Sequence, residues 1–459
     1  MVEFLEENHL LKNFQHGFRK NKNCLSQLLE HYVKILESLE KGLAVEVIYL
    51  DFAKAFDKVD HGLVIKKAEA LGIKGNLLEW IKEFLKNRKQ TVVVNGFASD
   101  ERTVLSGVPQ GTVLGPLLFI IMINDMPEYI KFCDISSFAD DTKVIKSIAN
   151  NEDSNKIQTD LSNVEKYTKN NNLVLNGGKF THIRYDPHKI LKEENISYKT
   201  EEQSIIETKD SVRDLGIIMS SNLNFSDHIN SIEIKCRQII GFVLRTFKTR
   251  EILPMMTLWK SLILSRLDYC SQLWSPFKSG EVQKLEGLQR TFTSYLNDIK
   301  DSNYWDRLKL LNLYSIERRF ERYQIIYIWK IIEQKVPSPT NITCTNMESR
   351  TGRKILVNHL PNTSCSLQTI IYNSPINKSK RLFNILPKEL RNITDVSTNT
   401  FKMYLDRSLS EIPDEPGISG YTKYRNVLSN SLTDQINQNN RWDPQIQPVS
   451  EVSAVIERR

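Results

Sequence analysis

Two strand-like runs in this 459-residue chain end in carboxylates. Val45-Glu46-Val47-Ile48-Tyr49-Leu50 leads into Asp51, and Ser136-Ser137-Phe138-Ala139 leads into Asp140-Asp141. Val, Ile, Tyr and Phe favour strands, where acids are depleted. A carboxylate so placed costs free energy unless a cation balances it. Carboxylates converging from neighbouring strands make a hard-oxygen site suited to Mg²⁺, which keeps waters and takes substrate phosphates as its other ligands. Two such ions a few ångströms apart are the means of in-line nucleotidyl transfer. Between the acidic runs lies Ser106-Gly107-Val108-Pro109-Gln110-Gly111-Thr112-Val113-Leu114-Gly115-Pro116, whose glycines recur every four residues and let a backbone approach a flat ligand closely. Each stretch also has an ordinary reading: a helix cap or turn acid, an acidic turn, a glycine-rich connector.

The elements that must position these residues can be read in order. Leu25, Leu28, Leu29, Val33 and Leu36 have helical spacing over 25–40, with Gly42 as the C-cap. The strand 45–51 follows. Asp60 is placed to cap a helix that continues to Leu85 with a break at Gly72–Gly75. Thr91-Val92-Val93-Val94-Asn95-Gly96 reads as a hairpin returning near Thr103–Leu105. The glycine loop leads into an apolar helix at Leu117–Ile123. Ile135–Ile148 reads as strand, turn, strand with Asp140-Asp141 at the turn. Then come a helix over 153–172, short strands at Leu173–Leu175 and Thr181–Tyr185, and one at Val212–Met219. This order is that of a split βαβ, ferredoxin-like sheet, hence an α+β class. Residues 229–335 are helical in pattern, 336–375 irregular, and Ser397–Leu409 a short helix; beyond Glu411 the polar composition predicts disorder.

Length allows roughly three domains, and 40% hydrophobic with 25% charged residues is ordinary for a folded chain. The longest apolar stretch, Leu114–Ile123, is too short to span a bilayer, and no cationic segment followed by an apolar core marks the N-terminus. Cysteines 24, 133, 236, 270, 344 and 365 show no C-x-x-C spacing, against a zinc knuckle and a secreted disulfide framework and for a reducing intracellular setting, cytoplasm or nucleus. The net charge is +7, and between Glu233 and Lys330 there are 17 Lys/Arg and 10 Asp/Glu, so that segment holds the whole excess. It also holds Trp259, Trp274, Trp305 and Trp329. Basic residues interleaved with aromatics suit a nucleic-acid backbone with stacked bases, or else form the solvated face of a helical bundle.

Taken together, Tyr49-Leu50-Asp51-Phe52-Ala53-Lys54-Ala55-Phe56-Asp57, the Gln110 glycine loop and Phe138-Ala139-Asp140-Asp141 stand in the order of motifs A, B and C of a polymerase palm. The chain resembles the reverse transcriptases of non-LTR, LINE-type retrotransposons, close to the jockey group. Further marks are Gln15-His16-Gly17-Phe18-Arg19 before the palm, Leu173–Lys179 within it, and Leu215-Gly216-Ile217 through His228 as a primer-grip hairpin. Leu267-Asp268-Tyr269-Cys270 with Trp274-Ser275-Pro276, Leu285-Glu286 with Gln289-Arg290, and Phe383-Asn384-Ile385-Leu386-Pro387 with Phe401-Lys402 extend it through residue 410.

The resemblance implies an RNA-directed DNA polymerase that adds dNTPs to a DNA primer or nicked target on an RNA template, with no membrane partner. It implies that Asp51 and Asp140 hold two Mg²⁺ ions, Mn²⁺ being the alternative, with Asp141 in support and the Phe52 carbonyl as a backbone ligand. Phe56 matches the steric gate against a ribose 2′-hydroxyl, Gln110 and Gly111 the contacts to nucleotide and template, and Lys179 the proton donor to pyrophosphate. Asp57 and Asp60 read as a turn acid and a cap. The expected domains are partial fingers (1–44), palm with primer grip (45–228), helical thumb (229–335), a C-terminal extension (336–410) and an unstructured tail (411–459). The family's Arg-Pro-Ile fingers block and its endonuclease have no counterpart, so an N-terminally truncated polymerase is expected. The alternatives are an inactive relic that still binds nucleic acid, and an RNA-templated RNA polymerase; Ala139 stands where the latter usually carries Gly.

Overall fold

Ala44–Leu50 is buried along nearly its whole length because it is the middle strand of a five-stranded sheet. The structure is a computed structural model that describes residues 1–187, 197–340, 344–346, 354–356, 365–415 and 430–439. The sheet runs in the order Asp134–Phe138, Asp141–Ile148, Ala44–Leu50, Thr181–Tyr185, Glu207–Thr208. All pairings are antiparallel except the last. Register sets which residues share a sheet end: Leu50 lies opposite Thr142, and Phe138 opposite Asp141. Asp51 and the Asp140–Asp141 turn therefore leave the sheet at the same end. The split βαβ order expected from the sequence is present.

The helix Cys24–Glu40 begins where the Asn23 carboxamide accepts from the Ser26 amide at 3.0 Å, half of a reciprocal capping box. Asp60 likewise caps His61–Ala70 through the Leu63 amide at 2.9 Å. Leu114–Ile123 is apolar all round and buried from Leu117 onward, as befits a helix enclosed by its neighbours. Glu46, fully buried in the middle strand, is matched by the Arg184 guanidinium at 2.8 Å and the Tyr198 hydroxyl.

The chain divides into two compact units at Gly216/Ile217, inside the span 45–228 expected to be one domain. Val212–Met219 is not one strand: Ser211–Asp214 and Ile217–Ser220 are separate, because Leu215 and Gly216 take φ of +44° and +87°. Leu175 makes a single bridge to Phe52 rather than a strand.

The second unit is helical, from Ser226–Thr246 through Ile316–Ile332 and on through Pro375–Asn384 and Thr398–Leu409. The expected thumb boundary at 335 does not separate two bodies. Trp329 stacks on Phe401 with centroids 4.2 Å apart, and its indole N–H reaches the Ile393 carbonyl at 3.0 Å, so the C-terminal segment completes the same core. A helix at Cys365–Tyr372 falls in the stretch expected to be irregular. The expectation of disorder beyond Glu411 is corrected at Leu432–Asn439, which is helical. There Leu432 and Ile436 are buried, and the Leu432 amide donates to Glu321 at 2.9 Å. Residues 416–429 and 440–459 lie outside the described residues.

The stacking role considered for the tryptophans is overturned for three of them. Trp259, Trp274 and Trp329 are at most 1% exposed and form core. Two of the local arginines are already matched as well: Arg319 forks onto Asp268 and Arg322 onto Asp406.

Candidate active site

The end of the sheet builds the site. The Asp51 carbonyl accepts from the Asn176 amide at 2.8 Å, and the Ala53 amide donates to Val174 at 2.8 Å, tying the strand exit to the turn that carries Lys179. The Lys179 ammonium lies 3.2 Å from Asp51 Oδ2 and is itself well exposed. That oxygen is buried with no aligned hydrogen-bond donor among the described residues. Opposite, burial and then the Asp51 charge raise the Asp140 carboxyl above the usual carboxylate range. Asp141 is exposed as a residue, but its carboxyl lies against enough protein to lose solvation. This loss, with repulsion by Asp140 and Asp214, pushes it up to about 6. A cleft of about 330 Å³ opens here, lined by Asp51, Asp141, Lys143, Lys179, Arg213 and Asp214 among others.

Three crowded carboxylates, two of them reluctant to ionise, and one buried oxygen whose cationic partner Lys179 is itself well exposed are the chemistry of a cation site. Among the described residues no three acidic, imidazole or thiolate groups close into a ready-made cage. Such a site leaves ligand positions for substrate phosphate and water, which fits Mg²⁺ better than a structural metal. Because the folded chain holds the Asp140 and Asp141 protons to higher pH than the unfolded chain does, their contribution to stability is greatest below the ordinary carboxylate range. The Asp141 part is lost as pH rises through about 6, and the Asp140 part as pH rises through its own raised value. Addition of Mg²⁺ is therefore expected to raise the thermal midpoint at pH 7.5 and not at pH 4.5, and Asp141→Asn to shrink that difference; differential scanning calorimetry checks both.

The glycine loop is strapped to the segment after Asp51. Gly107 has φ +89°, and a Cβ there would meet the Asp57 carbonyl oxygen at 2.7 Å, so only glycine fits. Its amide donates to Val59, the Val108 amide to Phe56, and Ser106 Oγ to the Asp57 carbonyl, all within 2.8–2.9 Å. Gln110 Nε2 donates to Asp57 Oδ1 at 2.9 Å, so this side chain is held by the acid of the preceding motif. Gly111, at φ +77°, has open space where a Cβ would stand. Phe56 is half-buried, stacked on Phe119 at 4.5 Å and met edge-on by Phe18 at 6.3 Å. Phe52 is buried and bridged to Leu175. Asp51, Phe52, Phe56, Gln110, Gly111, Asp140, Asp141 and Lys179 all lie in the first unit.

Other features rest on pairings that the sequence does not mark. Lys143 and Asp214 form a nearly buried ion pair in the wall of the cleft, 2% and 4% exposed, and the Tyr49 hydroxyl donates to Asp214 at 3.3 Å. Arg19, whose charge stands near the block before the palm, is committed to Glu6 through a two-pronged pair and is 7% exposed.

Comparison with known proteins finds the following likenesses. A family model described as reverse transcriptase (RNA-dependent DNA polymerase) matches residues 1–219. The RNA-directed DNA polymerase from mobile element jockey of Drosophila melanogaster is 26% identical over 364 residues, covering 77% of this chain and 38% of that protein. The jockey protein of Drosophila funebris is 28% identical over 295 residues, covering 62% and 32%. The probable RNA-directed DNA polymerase from transposon X-element of Drosophila melanogaster is 24% identical over 338 residues, covering 70% and 36%. The chain thus spans about a third of the length of these curated relatives. Among solved structures, telomerase from Candida tropicalis in complex with a fragment of telomeric RNA aligns over 88% of this chain and 56% of that one, at 12% identity and a TM-score of 0.41. No helix among the described residues is long and apolar enough to cross a membrane. Residues 1–219 are thus similar to the reverse transcriptase family, and the curated relatives that the chain resembles over most of its length are jockey-like, non-LTR elements.

Proposed function

We propose that this chain is an RNA-directed DNA polymerase of a non-LTR retrotransposon, extending a DNA primer with dNTPs on an RNA template by two-metal nucleotidyl transfer. The observation that carries the reading is the register of Leu50 against Thr142, which brings Asp51 and the Asp140–Asp141 turn out at one sheet end. Asp51 and Asp140 would hold the metal ions, with Asp141 in electrostatic support and the Phe52 carbonyl as a backbone ligand. Bound divalent cations there supply acidification of the primer 3′-hydroxyl and charge neutralisation on the triphosphate and pyrophosphate. The remaining work falls to the chain. Lys179, paired with Asp51 at 3.2 Å, would turn from that carboxylate toward a leaving pyrophosphate and protonate it. Gln110, oriented by Asp57, and Gly111, with no Cβ to fill the space, would meet nucleotide and template. Phe56, braced by Phe119, would stand against a ribose 2′-hydroxyl.

The test is extension of a DNA primer on an RNA template in Mg²⁺, which EDTA should abolish and Mn²⁺ restore. Extension that survives EDTA would contradict the metal roles given to Asp51 and Asp140. Phe56→Ala is expected to gain ribonucleotide incorporation, by at least about tenfold on the scale of one lost steric discrimination. Ribonucleotide use unchanged from wild type, measured by single-nucleotide extension with rNTPs, counts against the gate. A catalytically silent relic that still binds nucleic acid is the second reading, favoured by the commitment of Arg19 to Glu6. Such a relic would shift a labelled RNA–DNA duplex in a gel without extending it.

A further inference from the structure

The turn that presents Asp140 and Asp141 is held from outside the sheet. Ala139 has φ +53°, a region that side-chain-bearing residues avoid, and it is buried. Gln15, fully buried, closes on both of its main-chain groups: Oε1 accepts from the Ala139 amide at 2.8 Å, and Nε2 donates to the Ala139 carbonyl at 3.1 Å. The same Oε1 accepts from the Gly17 amide at 2.7 Å. Main-chain bonds seat the clamp on the strand, His16 N–H to Ser137 at 2.8 Å and Ser137 N–H to Phe14 at 2.8 Å. Gly17 is where the fit is tightest, since a Cβ there would lie 2.4 Å from the Ala139 nitrogen. Every polar atom of the Gln15 carboxamide is thus spent on the turn or on the glycine that lets it approach.

We propose that Gln15 is a positioning residue for nucleotidyl transfer: its carboxamide, closed on Ala139, holds the turn in the left-handed conformation that aims the Asp140 carboxylate. The inference rests on the polymerase reading for its catalytic part, whereas the clamp itself can be measured without activity. Nothing in the proposal requires Gln15 to touch substrate; it acts through the backbone next to the acid.

The test uses the full chain with Gln15→Met, which keeps side-chain length and removes both polar contacts. Hydrogen exchange of the peptide covering 137–141 should quicken by at least about tenfold, while the 44–50 strand keeps its protection. In steady-state primer extension kcat should fall roughly 10- to 100-fold with KM for dNTP within about twofold, the pattern of a misaimed group. Adding Ala139→Gly to Gln15→Met should recover most of kcat, because glycine takes positive φ without help. Gln15→Asn, which keeps a shortened amide, should show the same ordering at smaller size and serves if the Met variant does not fold. Unchanged exchange at 137–141 overturns the clamp. Faster exchange with unchanged kcat overturns the positioning role, as does a double variant no better than the single. If wild type itself extends no primer, the polymerase reading fails, and the exchange comparison still decides the clamp.

Discussion

Lys143→Met is expected to destabilise the first unit by about 3–5 kcal/mol, the scale for removing one partner of a buried ion pair. Lys143 and Asp214 are 2% and 4% exposed, so the variant leaves a nearly buried carboxylate without its cation. Tyr49 softens the loss by donating to Asp214 at 3.3 Å, while its ring loses the ammonium now 5.5 Å from its centroid. Converting both partners, Lys143→Met with Asp214→Leu, should recover most of the loss, since no charge is then left buried. Urea unfolding checks this: the midpoint should fall in the single variant and return in the double, with the slope unchanged. The pair also bears on the site beside it. Lys143 is one of the groups holding the Asp141 carboxyl down against its burial and its acidic neighbours, so the single variant should show Asp141 titrating still higher.

The second large effect is on chemistry. Asp51→Asn is expected to lower primer extension by at least about 10³-fold, as when one member of a group that acts together is removed. The amide keeps the shape but gives up a charge and an acceptor at the oxygen that is buried without an aligned donor. Stability should stay level or rise, because Asp140 and Asp141 lose a repelling neighbour even as Lys179 loses its partner. A calorimetric midpoint at or above wild type beside lost activity separates damage to the reaction from damage to the fold. The repulsion that makes Asp140 and Asp141 reluctant to ionise is the same feature that a divalent cation would relieve.

Local signals carried far along this chain. The strand before Asp51, the Asp60 cap, the break at Gly72–Gly75 and the apolar helix after the glycine loop each follow from period, propensity or turn chemistry in neighbouring residues, and all are found. The order of the acidic and glycine motifs was legible for the same reason, and the register of the central strands supplies the convergence it required. What was not legible depends on partners distant in sequence. The tryptophans looked like stacking surfaces because composition cannot tell a basic face from a core; Trp329 reveals its role only through Phe401. Arg19 carried positive charge in the sequence, and only Glu6, which folds back beside it, shows that the charge is already matched. Nothing local marks Gln15 as the partner of Ala139, since the two meet across 124 residues. Leu432–Asn439 was unreadable because its stability comes from burial of Leu432 and Ile436 rather than from its polar composition.

The central claim is tested most directly by incorporation of dTMP on poly(rA)/oligo(dT) in Mg²⁺, with wild type and Asp140→Ala measured side by side at matched folded protein. Wild type should incorporate nucleotide and Asp140→Ala should remain at background. Wild type and variant giving the same signal, whether both extend the primer or neither does, would contradict the claim that these carboxylates make this chain a polymerase.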